Sequence, residues 1–432
     1  MAFQQALSGL NVAGKAIDVT SHNIANASTV GYKAASSHFA DVYAASLNGA
    51  GANQIGIGVS LSAVQQQFSQ GNITATNSPL DISINGAGFF RMDSSGAVSY
   101  ARNGQFHLDK NGFIVNDQEM KLTGYVAQSG IVVPSSPQPL QISASALPPS
   151  ETGSSVASGF RGVKANLNLD SREDVPEFAW TPATGPIYTP DPQSYNFSRA
   201  LDIYDSLGNA HTLTMYFEKT ANAREWDVHF NVNGTSDAFV TTNSGGPLTF
   251  DTNGVLDQTS NPVNITIDLD AIVGAVSSVP NGANPTITFD IDFTGTTQFG
   301  QSFGTNRLAQ DGYAAGNLVG LSVGNDGVIQ GRYSNGQTFV QGQIVLANFT
   351  NPNGLNSLGN NQWSETPDSG PALVGVPNSS NLGVLSASTV EESNVDLTAE
   401  LVNLITNQRN YQANAQSIKT QDQVLQTLVN LR

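Results

Sequence analysis

Apolar residues recur every three or four positions at both ends of this chain and every second position through much of its middle. From Asp396 onward the stripe runs Leu397, Leu401, Leu404, Gln408, Tyr411, Ala415, Ile418, Asp422, Leu425 and Val429, widened near the end by Val424, Leu428 and Leu431. Asn, Gln, Thr, Ser and Lys fill the positions between, and neither Pro nor Gly interrupts them. A mean spacing of about 3.5 residues predicts an amphipathic helix of coiled-coil type, extending about 55 Å at 1.5 Å per residue. The opening residues Phe3, Leu7, Leu10, Gly14, Ile17, Ser21 and Ile24 share this spacing, with Ala6, Ala13 and Ala16 beside them. They predict a first helix of roughly 24 residues.

A helical stripe of this kind needs a partner. Either the two terminal helices cover each other or the sheet within one chain, or they are assembly elements, buried when many copies associate. On the second reading the polymerisation interface is Phe3, Leu7, Leu10, Ile17, Ile24, Leu397, Leu401, Leu404, Tyr411, Ile418, Leu425 and Val429.

After the first helix the periodicity stops at Asn23-Ile-Ala25-Asn26-Ala-Ser-Thr29-Val-Gly31-Tyr32-Lys33. Asn26 tolerates a left-handed conformation and Gly31 permits a turn, so a helix stop and a bend are expected here. From Ala34 to about Thr76 the pattern is weak and rich in small residues, which reads as a linker or an ordered arm. From Ser78 the period becomes two. Leu80 to Ile84, Phe89-Phe90, Val98 to Arg102, Gln105 to Asp109 and Phe113 to Val115 alternate between Asn-Gly and related turns, the pattern of hairpins. Residues 131–158 are rich in Pro, Ser and Ala and read as a crossover.

A second β-region follows. Leu201/Ile203, Leu213/Met215/Phe217, Trp226/Val228/Phe230/Val232, Ile265/Ile267/Leu269 and Ile287/Phe289/Ile291/Phe293 each present one apolar face, which predicts a sandwich or barrel with its own core. Short strands return from Leu318 to Phe349 in the style of the earlier hairpins. The expected fold class is therefore mainly β with terminal α-helices, in a nested order. Residues 1–25 and 393–432 form a helical coiled-coil assembly domain and 26–76 a linker or arm. Residues 77–148 and 316–392 form a discontinuous hairpin-rich β-domain, and 149–315 an inserted outer β-domain.

Composition narrows the function. The net charge of −17, from 17 basic and 34 acidic residues, argues against nucleic acid and anionic membrane surfaces as partners. There is no cysteine, hence no disulfide and no Cys-based metal site. No apolar run reaches membrane-span length, and the N-terminus lacks the layout of a cleavable signal peptide, so no membrane insertion is expected and any export takes another route. Gly320-Leu-Ser322-Val-Gly324 fits a hydrolase nucleophile pattern, but a turn and a strand are expected after it where the elbow needs a helix. Asp109-Lys-Asn-Gly112 resembles the start of a calcium loop, yet its Gly arrives early and the carboxylate series is missing, so a hairpin turn is the better reading. The five His show no metal-ligand spacing; His107 and His229 fit exposed strand positions. No catalytic, metal or cofactor site is expected, and the protein reads as a non-enzyme.

The ends of the chain resemble the rod and hook axial family of the bacterial flagellum. The signature is Asn23, Ala25, Asn26, Thr29, Gly31, Tyr32 and Lys33, followed by Ser78-Pro-Leu-Asp-Ile-Ser-Ile-Asn-Gly-Ala-Gly-Phe-Phe90, Tyr100-Ala-Arg102-Asn-Gly-Gln-Phe106 and, in the last helix, Asn407-Gln-Arg-Asn-Tyr-Gln-Ala-Asn414. The centre, with Ser194-Tyr-Asn-Phe197, Asp202-Ile-Tyr-Asp-Ser-Leu-Gly-Asn209 and Gly320-Leu-Ser-Val-Gly-Asn-Asp-Gly327, is similar to the hook branch of that family; the alternative is the distal rod protein. The resemblance implies a structural subunit that polymerises into a curved tube, a universal joint carrying torque from motor and rod to filament. It implies as partners the chain itself, the rod, hook-cap and hook–filament junction proteins, and the flagellar type III export machinery. The implied location is the extracellular flagellum, reached without a cleaved signal peptide.

Overall fold

The computed structural model describes residues 2–42, 56–128, 130–143, 146–154, 160–183, 185–276, 282–379 and 381–430. Among the described residues three α-helices, α1 (Ala2–Ala25), α2 (Leu269–Val276) and α3 (Leu397–Asn430), accompany many short strands, so the chain is mainly β with helical ends. Leu431 lies outside the described residues, as do the side chains of Leu428 and Val429. The chain divides into two compact units. The first comprises Met1–Ser143, Gly320–Gly331 and Phe339–Arg432, and the second Ala144–Val319 and Arg332–Thr338.

In the first unit, α3 begins where Asp396 caps it. Its Oδ1 accepts from the backbone N–H groups of Thr398 (2.9 Å) and Ala399 (3.1 Å), satisfying donors that a helix start leaves unpaired. No Gly or Pro follows, and the helix runs on to Asn430. The weakly patterned stretch after α1 contains an antiparallel ribbon of β1 (Ala35–Val42) and β2 (Gly58–Gln66), with a register shift between His38 and Phe39. The ribbon packs along α1, where Ser8 Oγ accepts from Val59 N at 3.3 Å. Alternation here is diluted by Ala and Ser, so the sequence pattern shows little of it.

The β-part of the first unit pairs Phe89–Ser94 with Ala97–Ala101 and with Lys121–Gln128, and Ala97–Ala101 with Gln362–Ser364. Residues far apart in sequence therefore share one sheet, as in Trp363 opposite Tyr100. The core between them is aromatic: Phe89, Tyr100, Phe349 and Trp363, with Phe68 against it. Edge-to-face contacts such as Phe89–Trp363 (5.7 Å) fill it. Asp109 Oδ1 accepts from Asn111 N and Phe113 N, both at 2.8 Å, which makes that stretch a hairpin turn. Ser322 lies on the strand Leu318–Val323, and a turn leads to the strand Val328–Tyr333, not to a helix.

The second unit holds two sheets around one core. One runs Phe197–Tyr204, Ala210–Lys219, Glu225–Val232, Leu248–Thr249; the other contains Val240–Ser244, Val263–Asp268, Thr286–Asp292, Val163–Asp170 and Thr297–Phe299. Ile203, Leu213, Met215, Phe217, Trp226, Ile265, Ile287, Phe289 and Phe293 are buried in that core, on the faces that alternation marks. Three features depart from the expectation. Leu269 starts α2 rather than ending a strand. Val163–Asp170 forms a strand parallel to Thr286–Asp292 within the second sheet. His229, expected to be exposed, is only partly so: its ring stacks on Trp180 at 4.2 Å and its Nε2 lies 2.9 Å from Glu218 Oε2.

Candidate assembly interface

The terminal helices meet in an antiparallel pair, and the face they share is not the one that carries the large apolar side chains. On α1 the buried positions are Ala6, Ala13, Ala16, Thr20 and Asn23. A Cβ built on Gly9, in the same row, would stand 2.8 Å from Asn414 Oδ1 of α3. Asn407 Nδ2 reaches Thr20 Oγ1 (3.4 Å), and Asn23 Nδ2 donates to Glu400 Oε1 (3.2 Å). Small residues let the helices approach closely, and amides supply the bonds across the seam. The large apolar residues are left over. Phe3 (45% exposed), Leu7, Leu397, Leu401, Tyr411 and Leu425 (54%) face outward, as do Val402 and Ile405, which the stripe omits. Leu10, Ile17, Ile24, Leu404 and Ile418 are partly covered. Each fully buried Leu or Phe stabilises by about 1.5–3 kcal/mol, so this surface holds a large driving force that the single chain does not use.

The signature residues build the joint that fixes the helices to the β-part. Asn23 uses all four hydrogen-bonding positions of its amide. Nδ2 donates to Ala35 O (2.8 Å) and Glu400, while Oδ1 accepts from Ala35 N (2.9 Å) and the Tyr32 hydroxyl (3.0 Å). The same hydroxyl stands 2.9 Å from His22 Nδ1. Burial, with the Glu400 charge, pushes the Tyr32 pKa up to about 12, so the hydroxyl keeps its proton. The helix stops at Ala25, and of the two residues that tolerate a left-handed backbone here, Asn26 and Gly31, only Gly31 adopts it, at φ +71°. A Cβ there would lie 2.6 Å from Asn103 N, so the close approach also requires glycine. Thr29 Oγ1 donates to Asn26 Oδ1 (3.2 Å), while Ala25 simply ends α1, exposed.

Lys33 is fully buried. Its ammonium donates to Ser69 O and to Glu391 Oε1, each at 2.7 Å. Glu391 Oε1 also accepts from Gly71 N (2.9 Å), and Oε2 from Arg102 Nη1 (3.3 Å). Burial depresses the pKa of both Lys33 and Arg102, and the Glu391 carboxylate works against that depression. Asn394 completes the joint: Oδ1 accepts from Ala34 N (2.7 Å) and Nδ2 donates to Gln67 O (2.7 Å). Sequence pattern does not point to Glu391 or Asn394, because no periodicity or spacing ties them to Lys33 or Ala34.

A helical pair with an uncovered apolar face is fixed by a buried joint to a hairpin-rich β-part, and the axial structural proteins that this chain is similar to are flagellar. Four stretches match flagellar families: residues 3–33 the "Flagella basal body rod protein", 83–146 the "Flagellar hook protein FlgE/F/G D1 domain", 168–313 the "Flagellar basal body protein FlaE D2 domain", and 386–431 the "Flagellar basal body rod FlgEFG protein C-terminal". Flagellar hook proteins of Salmonella typhimurium and Escherichia coli are 42% and 41% identical to the chain, with full coverage of both partners. That of Borreliella burgdorferi is 30% identical over 99% of this chain and 98% of its own. The chain belongs to the flagellar hook protein family, and the full-length matches decide for hook over distal rod. The crystal structure of the Helicobacter pylori hook protein FlgE2 shares the fold, with a TM-score of 0.50 and 14% identity over 74% of this chain and all of that one.

Proposed function

We propose that the protein is the structural subunit of the flagellar hook, polymerising into a curved, flexible tube that passes torque from rod to filament. The observation that carries this reading is the apolar surface of α1 and α3, including Phe3, Leu7, Leu401 and Leu425, which remains exposed in the single chain. Neighbouring copies cover that surface in the tube, with Phe3, Leu7, Leu10, Ile17, Ile24, Leu397, Leu401, Leu404, Tyr411, Ile418, Leu425 and Val429 in the contact. The signature residues hold the helices in register with the β-part, so force on the helices reaches the outer layers. On this reading the helical ends, the arm, the discontinuous β-domain and the inserted β-domain form successive layers of the tube.

The further partners are rod, hook-cap and hook–filament junction proteins, and the subunit leaves the cell through the flagellar type III pathway. Its role is structural, not catalytic. The low density of charge, 12% of residues, suits outer contacts that slide as the tube bends, because uncharged polar contacts are wet and individually weak. Electron microscopy of the concentrated protein tests the proposal. Helical tubes are expected from the intact chain and none from a chain ending at residue 395, which should still give a cooperative thermal transition. Tubes from the shortened chain would overturn the assignment of the helical interface.

A further inference from the structure

The buried joint carries one positive charge too many. Lys33 and Arg102 bring two cations against the single carboxylate of Glu391, and none of the three side chains is more than 3% exposed. Arg102 spends Nη1 on Ile84 O and Glu391 and Nη2 on Gly86 O (2.8 Å), but its Nε has no hydrogen-bond partner among the described residues. Buried donors are rarely left in this state, and a guanidinium away from water is strongly penalised unless balanced.

Arg102 also lines a cavity of about 210 Å³, walled by Phe68, Gln70, Gly86, Ala87, Gly88, Phe89, Asn348 and Pro352. No acidic residue stands among these walls. The turn from Gly86 (φ +113°) to Gly88 (φ +125°) takes backbone geometry closed to other residues and brings main chain to the cavity wall. Gly86 N donates to Gln70 Oε1 (2.9 Å); among the described residues the N–H groups of Ala87 and Gly88 donate to no protein acceptor. A cation lining a cavity that has no acidic residue in its walls attracts an anion. The aromatic walls lower the local dielectric and strengthen the attraction. The volume lies below the range of ordinary small-molecule pockets and suits a single carboxylate or small oxyanion.

We propose that this cavity binds an oxyanion whose charge Arg102 balances. The anion comes either from a carboxylate side chain of a second copy of the chain or from free oxyanion in solution. The site itself does not depend on the hook reading; only the first source does.

Thermal melting of the unassembled chain in millimolar phosphate, with ionic strength matched by chloride, tests the site. At ten times half-saturation the melting temperature should rise by about 3 °C. Asn348→Asp sets a fixed carboxylate on the cavity wall while keeping the oxygen that accepts from Phe349 N. It should raise the melting temperature without phosphate and abolish the response. Gln70→Glu carries the same expectation and serves if Asn348→Asp does not fold. No phosphate-specific rise in the wild type, or a rise that persists in the folded variant, overturns the proposal. In assembled tubes, loss of the phosphate response identifies a neighbour's carboxylate as the occupant, and retention identifies the free ion.

Discussion

Replacing Glu391 by Gln should unfasten the joint while barely changing its shape. The carboxylate receives Lys33 Nζ at 2.7 Å, Gly71 N at 2.9 Å and Arg102 Nη1 at 3.3 Å, with no exposure to water. Gln keeps one oxygen that can accept from Lys33 and Gly71. It sets an NH₂ group against Arg102 Nη1, donor against donor, and leaves two buried cations unbalanced. Breaking a buried pair from one side costs about 3–5 kcal/mol. At about 2–4 °C per kcal/mol for a unit of this size, the first unit should melt roughly 10 °C lower. Trp363 lies in that unit's core, so urea and thermal unfolding followed by its fluorescence in a Trp180→Phe, Trp226→Phe background reads the unit directly. Adding Lys33→Met to Glu391→Gln removes one unbalanced cation and should recover part of the loss, a non-additivity that a double-mutant cycle measures. A Glu391→Gln protein within about 1 kcal/mol of the wild type would refute the reasoning, since the smallest cost of breaking a buried pair is well above that.

Leu425→Asp should leave the monomer's stability unchanged, because the side chain is 54% exposed, and should abolish tubes by burying an unpaired charge at the contact; the off-stripe control Asn403→Asp should assemble normally, and equal behaviour of the two would show the interface is misplaced. Gly31→Ala should destabilise the first unit by about 1–3 kcal/mol or more in urea titration, because it combines a left-handed backbone with a 2.6 Å approach to Asn103 N; a neutral result would mean that the loop relaxes freely. In the second unit, burial works to raise the Asp292 pKa, but hydrogen bonds from Thr294 and Asn261 and the Lys164 ammonium outweigh it and hold the carboxylate below its usual range. A depressed acid contributes stability above its unfolded pKa of about 3.9 and loses it as pH falls toward the folded value, so Asp292→Asn should flatten the acid dependence of that unit's stability below about pH 4; an unchanged acid slope in denaturation at stepped pH would count against it.

Period and size explain what could be read from the chain in advance. The strands through Leu213, Trp226, Ile265 and Ile287 alternate large apolar with polar residues, and their faces are buried as the alternation indicates. Val163–Asp170 alternates too, but with Ala165 among its inward residues and Pro- and Ser-rich chain before it, so the signal is diluted. β1 and β2 are hidden for the same reason, their Ser and Ala residues giving little contrast between faces. The terminal helices are plain in the sequence, but their mutual seam is not. A stripe search weighs apolarity, while the seam selects small size at Ala6, Gly9, Ala13 and Ala16 and amide chemistry at Asn407 and Asn414. The ion triad is invisible for another reason: Lys33 and Arg102 lie 358 and 289 residues before Glu391, and a single carboxylate carries no pattern.

The same separations set an order of events for the chain as it folds. Bringing residue 33 to residue 391 closes a very long loop, and contacts of such range form late unless intervening structure shortens the path. The second unit has a core drawn from residues 163–293 and can collapse on local terms. The joint has no such freedom. Whichever end of the polypeptide is released first, Lys33 and Asn23 wait for Glu391 and Glu400, and the last segment to arrive is the one that lets the first segment settle.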